Sequence, residues 1–66
     1  MNIKEFENQW NNVYNIKDNE HIIVIVRSEI RIYCDNYSIE RADTLGFYMN
    51  HKIIAIVPLN DVITVL

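Results

Sequence analysis

The chain has 66 residues, 50% of them hydrophobic, with six basic and nine acidic side chains and a net charge of −3. This length predicts a single small domain, residues 1–66, with room for one helix against one sheet. Because the basic side chains are scattered and the longest apolar run, Ile22 to Val26, has five residues, direct nucleic-acid binding is disfavoured and no segment approaches the roughly 18 apolar residues of a membrane span.

Residues 1–16 have the pattern of an amphipathic helix. Asn2 is a candidate N-cap, and Glu5, three residues later, completes a capping box. A stripe of apolar residues recurs at helical spacing: Ile3, Phe6, Trp10 and Val13. The stripe is expected to pack on the protein's own sheet; a free partner-binding helix or a membrane-surface helix is the alternative. Asparagines then predict a helix end near Tyr14 and a loop over residues 15–20.

From residue 21 to residue 66 isoleucine and valine dominate, and the pattern changes to strand. The even positions are apolar: Ile22, Val24, Val26, Ile30, Ile32 and Cys34. One strand of this length would be unusual, so a bend, a bulge or a tight turn is expected around Ser28 and Glu29. The odd positions begin with Ile23 and Ile25 and become charged later, which predicts a second face that is only partly buried.

Two turn signals divide the middle of the chain. Asp35-Asn36 is followed by a short predicted strand from Tyr37 to Glu40, and Arg41-Ala42-Asp43 predicts another turn. These signals separate the first pair of strands from the segment "LGFYMNHKIIAIV".

The segment "LGFYMNHKIIAIV", residues 45–57, predicts a hairpin with Asn50 and His51 in a two-residue turn. The expected cross-strand pairs are Met49 with Lys52, Tyr48 with Ile53, Phe47 with Ile54, Gly46 with Ala55 and Leu45 with Ile56. One face of this hairpin would be large and apolar. The other would have a hollow at Gly46 and Ala55, which the ring of Trp10 is a candidate to fill.

The elements together predict an α+β fold. An N-terminal amphipathic helix packs on a small, mostly antiparallel sheet of four to six strands, arranged as a meander that is either open or curled toward a small barrel. Pro58 ends one strand, and Asn60-Asp61 turns the chain into the last one, residues 62–66.

The closing segment "DTLGFYMNHKIIAIVPLNDVITVL" carries a resemblance. It is similar to the C-terminal strands of short, uncharacterised proteins encoded by phages and mobile elements of AT-rich Gram-positive bacteria. In those proteins an LxFY pattern, a turn and an IA pair precede a last V..V strand. The resemblance covers about a third of the chain, belongs to no named family and carries no catalytic signature, so it implies a fold pattern and a source but no site residues.

Cysteine usage indicates the compartment. Cys34 is the only cysteine, so no internal disulfide can form and the expected location is the cytoplasm. No sequence of signal-peptide type opens the chain. Because Cys34 lies on the apolar even face, it is expected to be a small buried thiol rather than a nucleophile.

No motif indicates catalysis or metal binding. His21 and His51 lie far apart in the sequence and the single cysteine adds no ligand spacing, so no metal or other cofactor is expected. Four carboxylates are expected to form a solvated rim rather than an acid–base pair: Glu29, Asp35, Glu40 and Asp43. The chain is therefore interpreted as a protein that is not an enzyme.

Two hypotheses of function remain. The first is a protein–protein interaction module, carried by a phage or mobile element, that binds and modulates a host protein through its sheet or its acidic rim. The second is a small-ligand binder that sequesters a nucleotide-like molecule in a pocket at a dimer interface. That pocket would be lined by Arg31, Tyr33, Tyr37 and Tyr48.

A homodimer is predicted because one helix covers only one face of the sheet. The opposite face would remain apolar, and large exposed apolar patches usually mark an interface. The expected interface residues, with Tyr48 and Ile53 near the centre, are Ile23, Ile25, Tyr48, Ile53, Ala55 and Val57.

Overall fold

The structure, a computed structural model, describes residues 1–17 and 20–66. Its elements are α1 (Ile3–Ile16), β1 (Ile22–Val26), β2 (Ile30–Cys34), β3 (Asn36–Arg41), β4 (Thr44–Met49), β5 (Lys52–Pro58) and β6 (Val62–Val65), with 3-10 turns at Arg27–Glu29 and Leu59–Asp61. One helix and six antiparallel strands confirm the predicted α+β fold.

The helix α1 begins at the predicted cap. The side-chain oxygen of Asn2 accepts a hydrogen bond from the backbone N–H of Glu5 at 2.8 Å, and its amide donates to the Glu5 carboxylate at 2.7 Å. Phe6 and Trp10 are buried, so the helix packs on the protein itself and is not a free arm. It ends at Ile16, two residues later than expected. The predicted loop over residues 15–20 includes residues 18 and 19, which lie outside the described ones.

The first sheet, here called sheet 1, has the strand order β2-β1-β6. The interruption expected near Ser28 and Glu29 is a tight turn in which these residues take positive φ values of 65° and 59°. Residues 22, 24 and 26 of β1 point into the core, and Ile23 and Ile25 point to the other face. β1 is the central strand of this sheet, because it is hydrogen-bonded to β2 on one side and to β6 on the other.

The second sheet, sheet 2, has the order β3-β4-β5. Asn50 (φ 52°) and His51 (φ 69°) form the predicted two-residue turn between β4 and β5. The pairs next to the turn are as expected, Met49 with Lys52 and Tyr48 with Ile53. The short strand predicted before this hairpin is β3, one residue longer at each end.

Beyond Tyr48 the predicted register is wrong. Ile54 is an extra residue, a β-bulge that shifts all later pairs by one. The observed pairs are Phe47 with Ala55, Gly46 with Ile56 and Leu45 with Val57. Because side chains alternate between faces, the shift turns Ala55 and Val57 toward the core and Ile56 away from it.

The predicted hollow at Gly46 and Ala55, with Trp10 as its filler, is wrong, because Gly46 pairs with Ile56 on the outer face whereas Ala55 lies on the core face. A Cβ atom at Gly46 would lie 3.0 Å from Ser38 Oγ, 3.1 Å from Ile53 Cδ1 and 3.2 Å from Glu40 Cγ, so side chains of its own sheet cover this position. The Trp10 ring instead packs against Tyr37, with ring centroids 4.8 Å apart. Ala55 lies on the core side because of the bulge, and Trp10 lies there because the helix packs on the core, so neither is near the outer face of Gly46.

The core lies between the two sheets and under α1. Its buried side chains come from every element except β3: Phe6, Trp10, Ile22, Val24, Val26, Cys34, Leu45, Phe47, Val57, Leu59, Val62 and Val65. Val65 N–H also donates to the side chain of Gln9 at 3.1 Å, which ties β6 to the helix. The strands therefore divide between two sheets rather than forming one meander, and these sheets are not closed into a barrel.

Candidate functional site

The most exposed run of apolar side chains in a described strand lies on β5. Ile53, Ile54 and Ile56 are 45%, 49% and 63% exposed, and we call these three residues the β5 surface. β5 is an edge strand, bonded to β4 on one side only. Since the core already contains twelve buried apolar side chains, the β5 surface is not needed to complete it.

The outer face of sheet 2 next to the β5 surface is polar. Ser38 Oγ donates to the Glu40 carboxylate at 2.7 Å and lies 3.1 Å from the Tyr48 hydroxyl. Gly46 contributes only backbone to this face. The exposed isoleucines of sheet 2 therefore lie on its two edge strands, three of them on β5 and one, Ile39, on β3.

The six predicted interface residues do not form one surface. Ile23 and Ile25 lie on the outer face of sheet 1, paired with Tyr33 and Arg31. Because each sheet turns its outer face away from the shared core, this surface is separate from that of sheet 2.

On sheet 2 the predicted interface residues have different surroundings. Tyr48 and Ile53 lie opposite each other, partly buried and exposed respectively. Because the bulge turns residues 55 and 57 inward, Val57 is buried in the core and Ala55 packs against the core. Ile54 and Ile56, which sequence analysis assigned to the core face, are exposed in their place.

The four residues of the predicted ligand pocket are also divided within one copy of the chain. Arg31 and Tyr33 lie on the outer face of sheet 1, whereas Tyr48 lies on that of sheet 2. The Tyr37 ring packs edge-on against Phe6, with centroids 4.9 Å apart. A pocket that uses all four would need a second copy.

Tyr37 and Tyr48 do share one concave region of about 480 Å³ at the end of sheet 2. It is lined by Asp35, Asn36, Tyr37, Ser38, Tyr48 and His51. The Asp35 carboxylate accepts a hydrogen bond from Asn50 N–H at 3.0 Å, and the Tyr37 hydroxyl donates to Glu7 at 3.3 Å. Burial, followed by the charge and hydrogen bond of Glu7, raises the pKa of Tyr37. The Tyr37 ring of this region already packs against Phe6 and Trp10, and the Tyr48 hydroxyl lies 3.1 Å from Ser38 Oγ.

Cys34 is the buried thiol that the sequence predicts. It is fully buried and its Sγ lies 3.6 Å from the carbonyl oxygen of Ile22, to which it donates. Burial, and to a smaller extent the charge of Asp35, raises the pKa of Cys34 to about 12. A thiolate is the reactive form of cysteine, so burial of the neutral thiol disfavours a nucleophilic role for Cys34.

The other ionisable candidates lie in separate places. His21 borders the outer face of sheet 1 near Ile23, whereas His51 is in the turn of sheet 2. Glu29 is in the turn after β1, and Asp43 accepts a hydrogen bond from Thr44 at 3.3 Å. Across residues 1–17 and 20–66, no group of three or more His, Cys, Asp or Glu side chains is placed to hold a metal ion.

Sequence reasoning placed Ile53 of the β5 surface at an exposed face but missed Ile54 and Ile56, because it assumed unbroken alternation. Ile54 and Ile56 fall on the core face in a regular hairpin, and nothing in "KIIAIV" marks a bulge. One signal was present. Pro58 closes the strand, and proline within a sheet is confined to edges, first positions and bulges, which indicates that β5 is not a central strand.

Comparisons with known proteins give no further information on this site. No family model, no curated protein and no solved structure matches the chain. None of the helical residues that the structure describes forms a segment long and apolar enough to span a membrane.

Proposed function

We propose that this chain is a non-enzymatic protein–protein interaction module that acts as a homodimer and binds a host protein. The observation that carries the proposal is the β5 surface, three exposed isoleucines on the edge of a protein whose core is already complete. Contiguous exposed apolar patches on soluble proteins usually mark interaction sites, which supports a partner at the β5 surface.

The resemblance of residues 43–66 to small phage and mobile-element proteins supports the proposed setting, a bacterial cytoplasm in which the partner is a host protein. The lone buried Cys34 agrees with a reducing compartment. Nine acidic side chains against six basic ones favour a protein partner over a nucleic acid.

The test is capture and reconstitution. The immobilised chain is exposed to lysate of a Gram-positive host, and each captured protein is purified and titrated against the free chain. Ile56→Lys alters the β5 surface and Tyr33→Ala alters the outer face of sheet 1, so loss of affinity in one variant and not in the other locates the contact. The absence of saturable binding by any purified candidate would contradict the interaction role.

A small nucleotide-like ligand is the second candidate, because Tyr37 and Tyr48 line one concave region with His51. Aromatic rings that stack on a base need a free face, and the Tyr37 ring is packed by Phe6 and Trp10. Native mass spectrometry of freshly purified protein distinguishes the two candidates. A retained small molecule of constant mass supports the ligand binder, and its absence supports the interaction module.

A further inference from the structure

We draw no further inference here: the strongest candidate, the β5 surface on the unpaired edge of sheet 2, is exposed and apolar, but nothing among the residues that the structure describes shows what covers it.

Discussion

Two strands of this protein have nearly the same sequence and opposite surroundings. Residues 22–26 of β1 read IIVIV and residues 53–57 of β5 read IIAIV. β1 is the central strand of sheet 1 and buries Ile22, Val24 and Val26. β5 is an edge strand that exposes all three of its isoleucines. Composition therefore specifies that both segments are strands, whereas the number of paired neighbours and the bulge determine what each strand buries.

The largest expected effect comes from single-residue deletions in the two strands. Deleting Ile25 from β1 shifts one part of the strand to the opposite face and should abolish cooperative folding. Deleting Ile54 removes the extra residue of the bulge and leaves Ile53 opposite Tyr48 and Ala55 opposite Phe47, so this variant should fold. Circular dichroism and thermal melts test both. Equal loss of folding in the two deletions would refute the bulge.

The next effect is the cost of truncating an isoleucine in each strand. Ile22→Ala, at a site that is 2% exposed, should lower the free energy of unfolding by about 2–5 kcal/mol. Ile56→Ala should lower it by less than about 0.5 kcal/mol. Urea denaturation at low micromolar concentration, where a weak dimer contributes little, measures both values. Similar costs would mean that β5 is buried in the folded monomer.

The buried end of β1 also predicts an alkaline transition, because Ile22 pairs with Cys34. The pKa of Cys34 is raised from 9.0 to about 12 in the folded protein. As the pH rises, the thiol therefore ionises first in the unfolded chain. The contribution of the buried neutral thiol to the free energy of unfolding is complete below pH 9.0 and is lost as the pH rises toward about 12.

The raised pKa of Tyr37 acts in the same direction. Cys34→Ala should flatten the decrease in stability above pH 9 but not remove it, since Tyr37 remains. Urea denaturation across this pH range checks the slope, and identical slopes in wild type and Cys34→Ala would contradict the burial of the thiol.

A smaller effect is expected from making the two five-residue stretches identical. Ala55→Val converts residues 53–57 into IIVIV, the sequence of β1. Because Ala55 packs against the core opposite Phe47, the added methyl groups should destabilise the protein by about 1–3 kcal/mol. The side chains of Ile53 and Ile56 should stay exposed, which attenuation of their methyl NMR signals by a soluble paramagnetic probe would show. A stabilised variant would indicate unfilled space beneath β5.

A further small effect concerns Gly46, which lies beside Ile53 on the outer face of sheet 2. In Gly46→Ala the new Cβ would meet three side chains at 3.0–3.2 Å, all of which belong to sheet 2 and can move. We expect a loss of about 1 kcal/mol, offset in part by the lower conformational entropy of alanine in the unfolded chain. A loss as large as that of Ile22→Ala would mean that Ser38 and Glu40 are held rigidly.

The sequence was sufficient for the elements because their signals are local. The Asn2–Glu5 cap, the stripe containing Phe6 and Trp10, and the Asn50-His51 turn each depend on residues a few positions apart, and all are found in the structure. The α+β class follows from these signals.

The exposure of Ile54 and Ile56 could not be predicted, because it depends on two non-local facts. The division of six strands between two sheets leaves β5 without an outer neighbour. The bulge at Ile54 then exchanges the faces of all later residues in β5. Neither fact has a signal in the sequence of β5 except Pro58, which indicates an edge but not the register.

The bond between Gln9 and Val65 has a consequence for how the chain reaches this fold. β6 pairs with β1 through Val24 and Val65, and the helix contacts β6 through Gln9. Sheet 1 is therefore complete only when the C-terminal strand meets β1 and the helix, which are distant from it in the sequence. Pairing across such sequence separations is slow to form. Until β6 arrives, β1 presents its own uncharged IIVIV edge beside the IIAIV edge of β5. A partly folded chain therefore exposes two uncharged, unpaired strand edges, whereas in the folded protein only that of β5 is unpaired. Such edges promote aggregation, so the yield on refolding should fall as protein concentration rises.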